Sequence, residues 1–95
     1  MKRLDTFNLE QVNELAKIGH PKHLDKLANH KKSYYRHFAA QYGTDKHKDK
    51  LAKDADSSVR ATVAQFGNAK HKELLKNDPD PEVRMMSELG EWEPE

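Results

Sequence analysis

The side chains best placed to do chemistry in this sequence are its six histidines, each of which lies within two residues of a lysine or arginine. Imidazole binds metals, and a cationic setting suits phosphate, so both uses have to be weighed. His20 and His23 lie three apart in the sequence. Zinc in a tetrahedral site needs further histidine or carboxylate ligands. His23, His47 and His71 recur at one constant interval. If each sits on its own packed helix they stand about 10 Å apart, too far to share an ion. His30 and His37 would meet only if one helix covered both, and a break before Ser33 is expected. No metal site and no cofactor is expected.

The stretch KKSYYRHFAAQYG, residues 31–43, offers a second kind of chemistry. His30, Lys31, Lys32, Tyr34 and His37 combine cations with an aromatic ring, the ingredients for neutralising phosphates and stacking on bases. Lys48, Lys50 and Lys53 extend the basic character downstream. Catalysis has less to stand on. No carboxylate pair stands out from ordinary surface charge, and there is neither a glycine-rich phosphate loop nor a nucleophile elbow. Ser33, beside lysines, reads as a helix cap. No catalytic residue is expected.

The elements that must carry these side chains follow from an internal spacing. Gly19, Gly43 and Gly67 are 24 apart, as are Lys22, Lys46 and Lys70, Leu27, Leu51 and Leu75, and Arg36, Arg60 and Arg84. Asp54 matches Asp78, Asp56 matches Asp80 and Val59 matches Val83. Each unit reads as a longer helix, a glycine stop and a shorter helix. In DADSSVRATVAQFG, Asp and Ser are cap candidates. Val59, Val63 and Phe66 lie along one face, and Gly67 is placed to end the helix with positive φ. Asn8 and Gln11 suggest a capping box at the first helix, and Pro79 and Pro81 suit the entry of the last. No alternating strand pattern occurs. The expected fold is all-α, a short α-solenoid of about four two-helix repeats. One domain covers residues 1–95, in units of about 5–29, 30–53, 54–77 and 78–90, followed by an acidic tail, 91–95. Such helix pairs cannot bury their apolar faces alone and must stack.

Aligning the units sorts the aromatic residues. Tyr35 falls with Val59 and Val83, and Tyr42 with Ile18 and Phe66, so both are expected in the core. Phe38 falls with Thr62 and Met86, at a helix contact. Tyr34 falls with Ser58 and Glu82 and is expected at the surface. The HKK of residues 30–32 replaces acidic Asp54 and Asp56 where a helix N-terminus favours negative charge. A break in a local rule without structural gain is a candidate for function.

Charge and composition bound the rest. Hydrophobic and charged residues each make up 35% of the chain, so the core is thin and depends on spacing. Residues 1–53 carry a net +6 and residues 54–95 a net −5, which makes the chain bipolar. Without cysteine the chain has no disulfide, thiolate nucleophile or iron–sulfur ligation. No apolar run approaches the ~20 residues that span a bilayer, and no leader is apparent, so a cytoplasmic location is expected.

The stretch DADSSVRATVAQFGNAKHKELLKNDPDPEVRMMSELG resembles leucine-rich repeat variant and related HEAT-like repeats, through its D.D..VR and ELLKNDPDPEVR elements. The resemblance covers roughly residues 22–90 and implies alternating longer and shorter helices in a right-handed superhelix. It also implies a structural ladder in which Arg36, Arg60 and Arg84 bond aspartates of the adjoining unit, with Asp54 and Asp78 as partners. The cysteine cluster of some members is missing, so no iron–sulfur role carries over. The expected function is a non-catalytic module, an adaptor, scaffold or small inhibitor, that binds a protein partner. That partner would be an acidic one for its basic half, or a groove that receives Trp92 from its acidic end. Nucleic acid is the rival ligand, and the chain is expected to be a monomer or to self-associate weakly.

Overall fold

The structure, a computed structural model, describes residues 9–89, with the side chain of Leu9 excepted. The proposed Asn8 cap, Gly90, Trp92 and the acidic tail lie outside the described residues. Between these limits the chain is all-helical. Four longer helices, α1 (Leu9–Ile18), α3 (Ser33–Tyr42), α5 (Ser57–Phe66) and α7 (Pro81–Leu89), alternate with three shorter ones, α2 (Pro21–Ala28), α4 (Asp45–Leu51) and α6 (Ala69–Leu75). Each longer helix packs on the next, α1 on α3, α3 on α5 and α5 on α7. The molecule is accordingly elongated, 43 × 29 × 21 Å.

The core runs along the seam between longer and shorter helices. Leu27, Leu51 and Leu75 fill it from the shorter helices, and Tyr35, Val59 and Val83 from the longer. Each fully buried Leu or Val contributes roughly 1.5–3 kcal/mol relative to exposure. Ala16, Ala40 and Ala64, all fully enclosed, let neighbouring helices approach closely. Tyr42 and Phe38 are half-buried against this core. Two expected core positions are not enclosed: Ile18 is 74% and Phe66 42% exposed, because both sit at helix ends beyond the packed seam.

The glycines act differently from expectation. Among the described residues Gly19 alone has positive φ, 77°, with open space where a Cβ would stand. Gly43 and Gly67 end their helices with extended backbone, at φ −71° and −75°. Positive φ is therefore not what position 67 requires. A Cβ at Gly67 would come 2.6 Å from the Val63 carbonyl oxygen and 2.7 Å from His71 Cβ. At Gly43 it would come 2.8 Å from His47 Cβ. Glycine is needed there because the shorter helix begins directly against the longer one.

Helix entry also sorts itself. Asp56 caps α5 by accepting from the Ser58 N–H. At α3 the cap position is Lys32, which offers no side-chain bond, and Ser33 is the first helical residue. The Asp56 carboxyl is held below its ordinary range chiefly by its bonds from Ser58, with Ser33 as a minor contributor. The expected Ser33 cap is therefore not formed, because Ser33 already lies within the helix, and His30 lies ahead of the helix that holds His37.

Candidate binding face

The lysines of the shorter helices divide by direction. At residues 46–48 and 70–72 the sequence reads KHK at the start of α4 and α6. The histidine stands third in each helix and closes a capping box. The Thr44 N–H donates to His47 Nδ1 (3.0 Å), and the Asn68 N–H donates to His71 Nδ1 (3.1 Å). With Nδ1 accepting, the ring proton sits on Nε2, which donates to Asp25 from His47 and to Asp49 from His71, 2.6 Å each. The second lysine of each triplet turns inward. Lys48 Nζ donates to the Gly43 carbonyl (2.6 Å), and Lys72 Nζ to those of Ala64 (2.7 Å) and Gln65 (3.0 Å). These ammonium groups close the C-termini of α3 and α5, where the helix dipole favours positive charge. Burial pulls the Lys48 pKa down, against the opposing pull of Asp45.

With Lys48 and Lys72 committed inward, Lys22, Lys26, Lys46, Lys50 and Lys70 remain exposed on the shorter helices, and Lys53 is exposed in the turn after α4. Lys46, Lys50 and Lys53 line an open groove of about 780 Å³ between α2, α4 and the loop leading to α5. Asn29 lies across from them and accepts from Lys50 Nζ. The two carboxylates in the groove wall are already engaged. Asp49 bonds His71, and Asp54 receives Arg36 through Nε (2.7 Å) and Nη2 (3.0 Å). The groove therefore presents net positive charge, with polar donors on both walls.

Arg60 grips Asp78 as Arg36 grips Asp54, through Nε at 2.8 Å and Nη2 at 3.2 Å. Each guanidinium also donates through Nη1 to backbone carbonyls six and five positions earlier, His30 and Lys31 for Arg36, Asp54 and Ala55 for Arg60. The aspartate side chains turn their loops as well: the Asp56 N–H donates to Asp54 and the Asp80 N–H to Asp78, 2.9 Å each. The hydrogen bonds that Arg36 donates to Asp54, with the nearby carboxylates, raise its pKa despite burial, and those to Asp78 do the same for Arg60. Burial pushes the Asp78 carboxyl up, but Arg60, the Asp80 N–H and Arg84 outweigh it, so its pKa lies below the ordinary carboxylate range. Arg84 repeats only the backbone part, from Nη1 to the Asp78 carbonyl (2.7 Å), and pairs with no carboxylate among the described residues.

The aromatic-basic stretch is split by the fold. Lys31, Lys32 and Tyr34 are exposed, and Lys32 Nζ stands 5.9 Å from the Tyr34 ring centre. Tyr34 leans on Tyr35 (4.7 Å between ring centres), which in turn meets His30 (4.3 Å). His30 and His37 serve the fold. His30 Nδ1 accepts from the Lys32 N–H (3.1 Å), the same turn that Asp54 and Asp78 make in their loops. His37 Nδ1 bonds the Thr62 hydroxyl (2.7 Å), and burial lowers its pKa. Of the binding residues named from sequence, Lys31, Lys32, Tyr34 and Lys50 face outward, whereas His30, His37 and Lys48 face their own chain.

Sequence reasoning misses Lys46 and Lys70 as parts of this face, and with them the bonds from His47 and His71 to Asp25 and Asp49. The signal is present in the repeated KHK: a histidine third in a helix after Thr or Asn stands where a capping box places Glu or Gln. No group of three or more metal-ligating side chains occurs among the described residues. No helix among them is long and apolar enough to cross a membrane. No family model matches the chain, and no curated protein or solved structure matches it.

Proposed function

We propose that this chain is a short right-handed α-solenoid of HEAT-like, leucine-rich-repeat-variant units with a 24-residue period, working as a non-catalytic module that binds an acidic protein partner. The period is supported by the recurrence of the Arg–Asp and His–Asp bonds, in which both partners are displaced by that interval in the sequence. The function rests on one observation, the groove in which Lys46, Lys50 and Lys53 converge while its carboxylates are engaged by Arg36 and His71. Lys22 and Lys70, at the same helical position in α2 and α6, prolong it on either side. Such a surface steers acidic partners and sets their register.

The test compares proteins captured from a nuclease-treated extract by the wild type and by the Lys46→Glu/Lys50→Glu/Lys53→Glu variant. Acidic proteins released by salt and lost with the variant support the reading. An unchanged capture set removes the groove from the interface. A second reading, nucleic-acid binding, is favoured by exposed Tyr34 with Lys32 beside its ring and Lys31 adjacent. It requires a labelled single strand to bind with an affinity that falls steeply with salt and to weaken on Tyr34→Ala.

A further inference from the structure

The two ends of the helix row expose what its middle satisfies internally. The His37–Thr62 bond defines how consecutive long helices face one another: the His37 position of α3 looks forward onto α5, and the Thr62 position of α5 looks back. The forward position of α5 is Ala61, which is buried. On α7 it is Met85, which has no following helix among the described residues and is 51% exposed, with Leu89 beyond it at 58%. The backward position on α1 is Glu14, whose side chain is 65% exposed. It borders a shallow, mainly apolar hollow of about 380 Å³ that includes Glu10 and Leu15.

Polar groups are left over in the same sense. Arg36 and Arg60 each direct Nε and Nη2 at a carboxylate of the following loop, and Arg84 has none among the described residues. His47 and His71 each reach an aspartate of the preceding shorter helix, whereas His23 Nε2 is enclosed and has no acceptor among the described residues. Glu73, the counterpart of Asp49 on α6, stands at the opposite end from His23. One end thus offers a guanidinium lacking its carboxylate, a carboxylate lacking its histidine, and two bare hydrophobic side chains. The other offers Glu10, Glu14, which shares its charge with Lys17 in an exposed pair at 3.5 Å, and an apolar hollow. The halves of the chain also carry +6 and −5.

We propose that a second copy of this chain docks head to tail on the α7 end, its α1 packing against α7 as α5 packs on α3. Met85 and Leu89 enter the hollow beside Leu15, Arg84 pairs with Glu14, and Glu73 lies on the His23 side of the contact. The two surfaces differ, so the contact does not close on itself and further copies add in a row. The lysine groove on the flank of α4 stays open, and this inference is independent of what binds there.

Sedimentation equilibrium of the full chain, from about 10 μM to about 1 mM at roughly 20 and 500 mM salt, tests it. At low salt the average mass climbs past that of a dimer without a plateau, and high salt reverses it. Met85→Asp weakens association at least about tenfold while leaving the unfolding temperature of this exposed-site variant unchanged. Arg84→Glu weakens it likewise, and the Arg84→Glu/Glu14→Arg reversal recovers most of the loss. A wild type that stays monomeric at the highest concentration, a plateau at dimer mass, or variants that assemble like the wild type would each overturn the proposal.

Discussion

Replacing Asp78 by alanine tests what the Arg–Asp contacts contribute. The Asp78 side chain is 6% exposed and that of Arg60 15%, so both charges are largely withdrawn from water. The substitution removes two charge-assisted bonds to Arg60 and the bond from the Asp80 N–H. Breaking a buried pair from one side costs about 3–5 kcal/mol, because the surviving charge is left uncompensated. Arg60 keeps its bonds to the Asp54 and Ala55 carbonyls and a narrow path to solvent, which places the cost near the lower end, about 3 kcal/mol. For a domain of this size that lowers the melting temperature by about 12–24 °C. Urea unfolding followed by circular dichroism measures it, with Glu73→Ala as the control. Glu73 pairs with Lys76 in the open, and its loss costs under about 1 kcal/mol. In a double-mutant cycle with Arg60→Met the two sites couple by at least about 1.5 kcal/mol. The depressed Asp78 pKa fixes the sign of the pH effect. Its contribution is complete above the unfolded carboxylate value near 3.9 and is lost as pH falls through the folded one. Asp78→Asn therefore flattens the fall in stability below about pH 4. An Asp78→Ala variant within about 1 kcal/mol of the wild type, or no worse than the Glu73→Ala control, would refute the reasoning.

Three further outcomes are expected. Gly67→Ala costs about 1–3 kcal/mol by overpacking against Val63 and His71, and Gly67→Asn is no better. Gly19→Ala costs about 1–2 kcal/mol through φ alone, and Gly19→Asn recovers part of it, as chemical denaturation of the four variants will show. Lys72→Leu, which copies Leu24 at the equivalent position of α2, keeps the packing but deprives the Ala64 and Gln65 carbonyls of their donor. Its cost of about 1–3 kcal/mol, that of a buried acceptor left unsatisfied, is read from the urea midpoint. His37 and His23 both have pKa values lowered, chiefly by burial, so the fold favours their neutral forms and loses stability as pH falls from about 7 through the unfolded value near 6.5. His37→Ala, the residue found at position 61, makes the urea midpoint less sensitive to pH between about 7 and 5.5.

What can be read in the sequence depends on whether a residue acts through its own helix or through a neighbour. Helix content, the Leu27, Leu51 and Leu75 seam and the burial of Tyr35 follow from helical periodicity, which needs no knowledge of distant contacts. The exposure of Tyr34 follows from the polar company it keeps at positions 58 and 82. Position 67 misleads because glycine serves two purposes: it tolerates positive φ, and it admits a close neighbour. Only the closeness of the Val63 carbonyl and of His71 to position 67 tells them apart. Lys48 and Lys50 look alike in sequence, yet residues two apart point to opposite sides of a helix, which sends one to the Gly43 carbonyl and the other to the groove.

The HKK tripeptide shows how an apparent exception can have a structural cause. Asp54 and Asp78 stand in their loops with an arginine of the preceding long helix to hold them, Arg36 and Arg60. At the matching position of α1, ahead of His30, the chain has Val12, fully enclosed in the core. A carboxylate at position 30 would lack the guanidinium that offsets its burial in the other two loops. His30 instead supplies the one function still needed there, an acceptor for the N–H two residues on, and its ring packs on Tyr35. The exception at position 30 is therefore coupled to the one at position 12, and the absent arginine gives the loss of acidity there a structural cause. Lys31 and Lys32 have no such duty assigned to their side chains by the turn, and they remain with Tyr34 as the part of the stretch that faces outward.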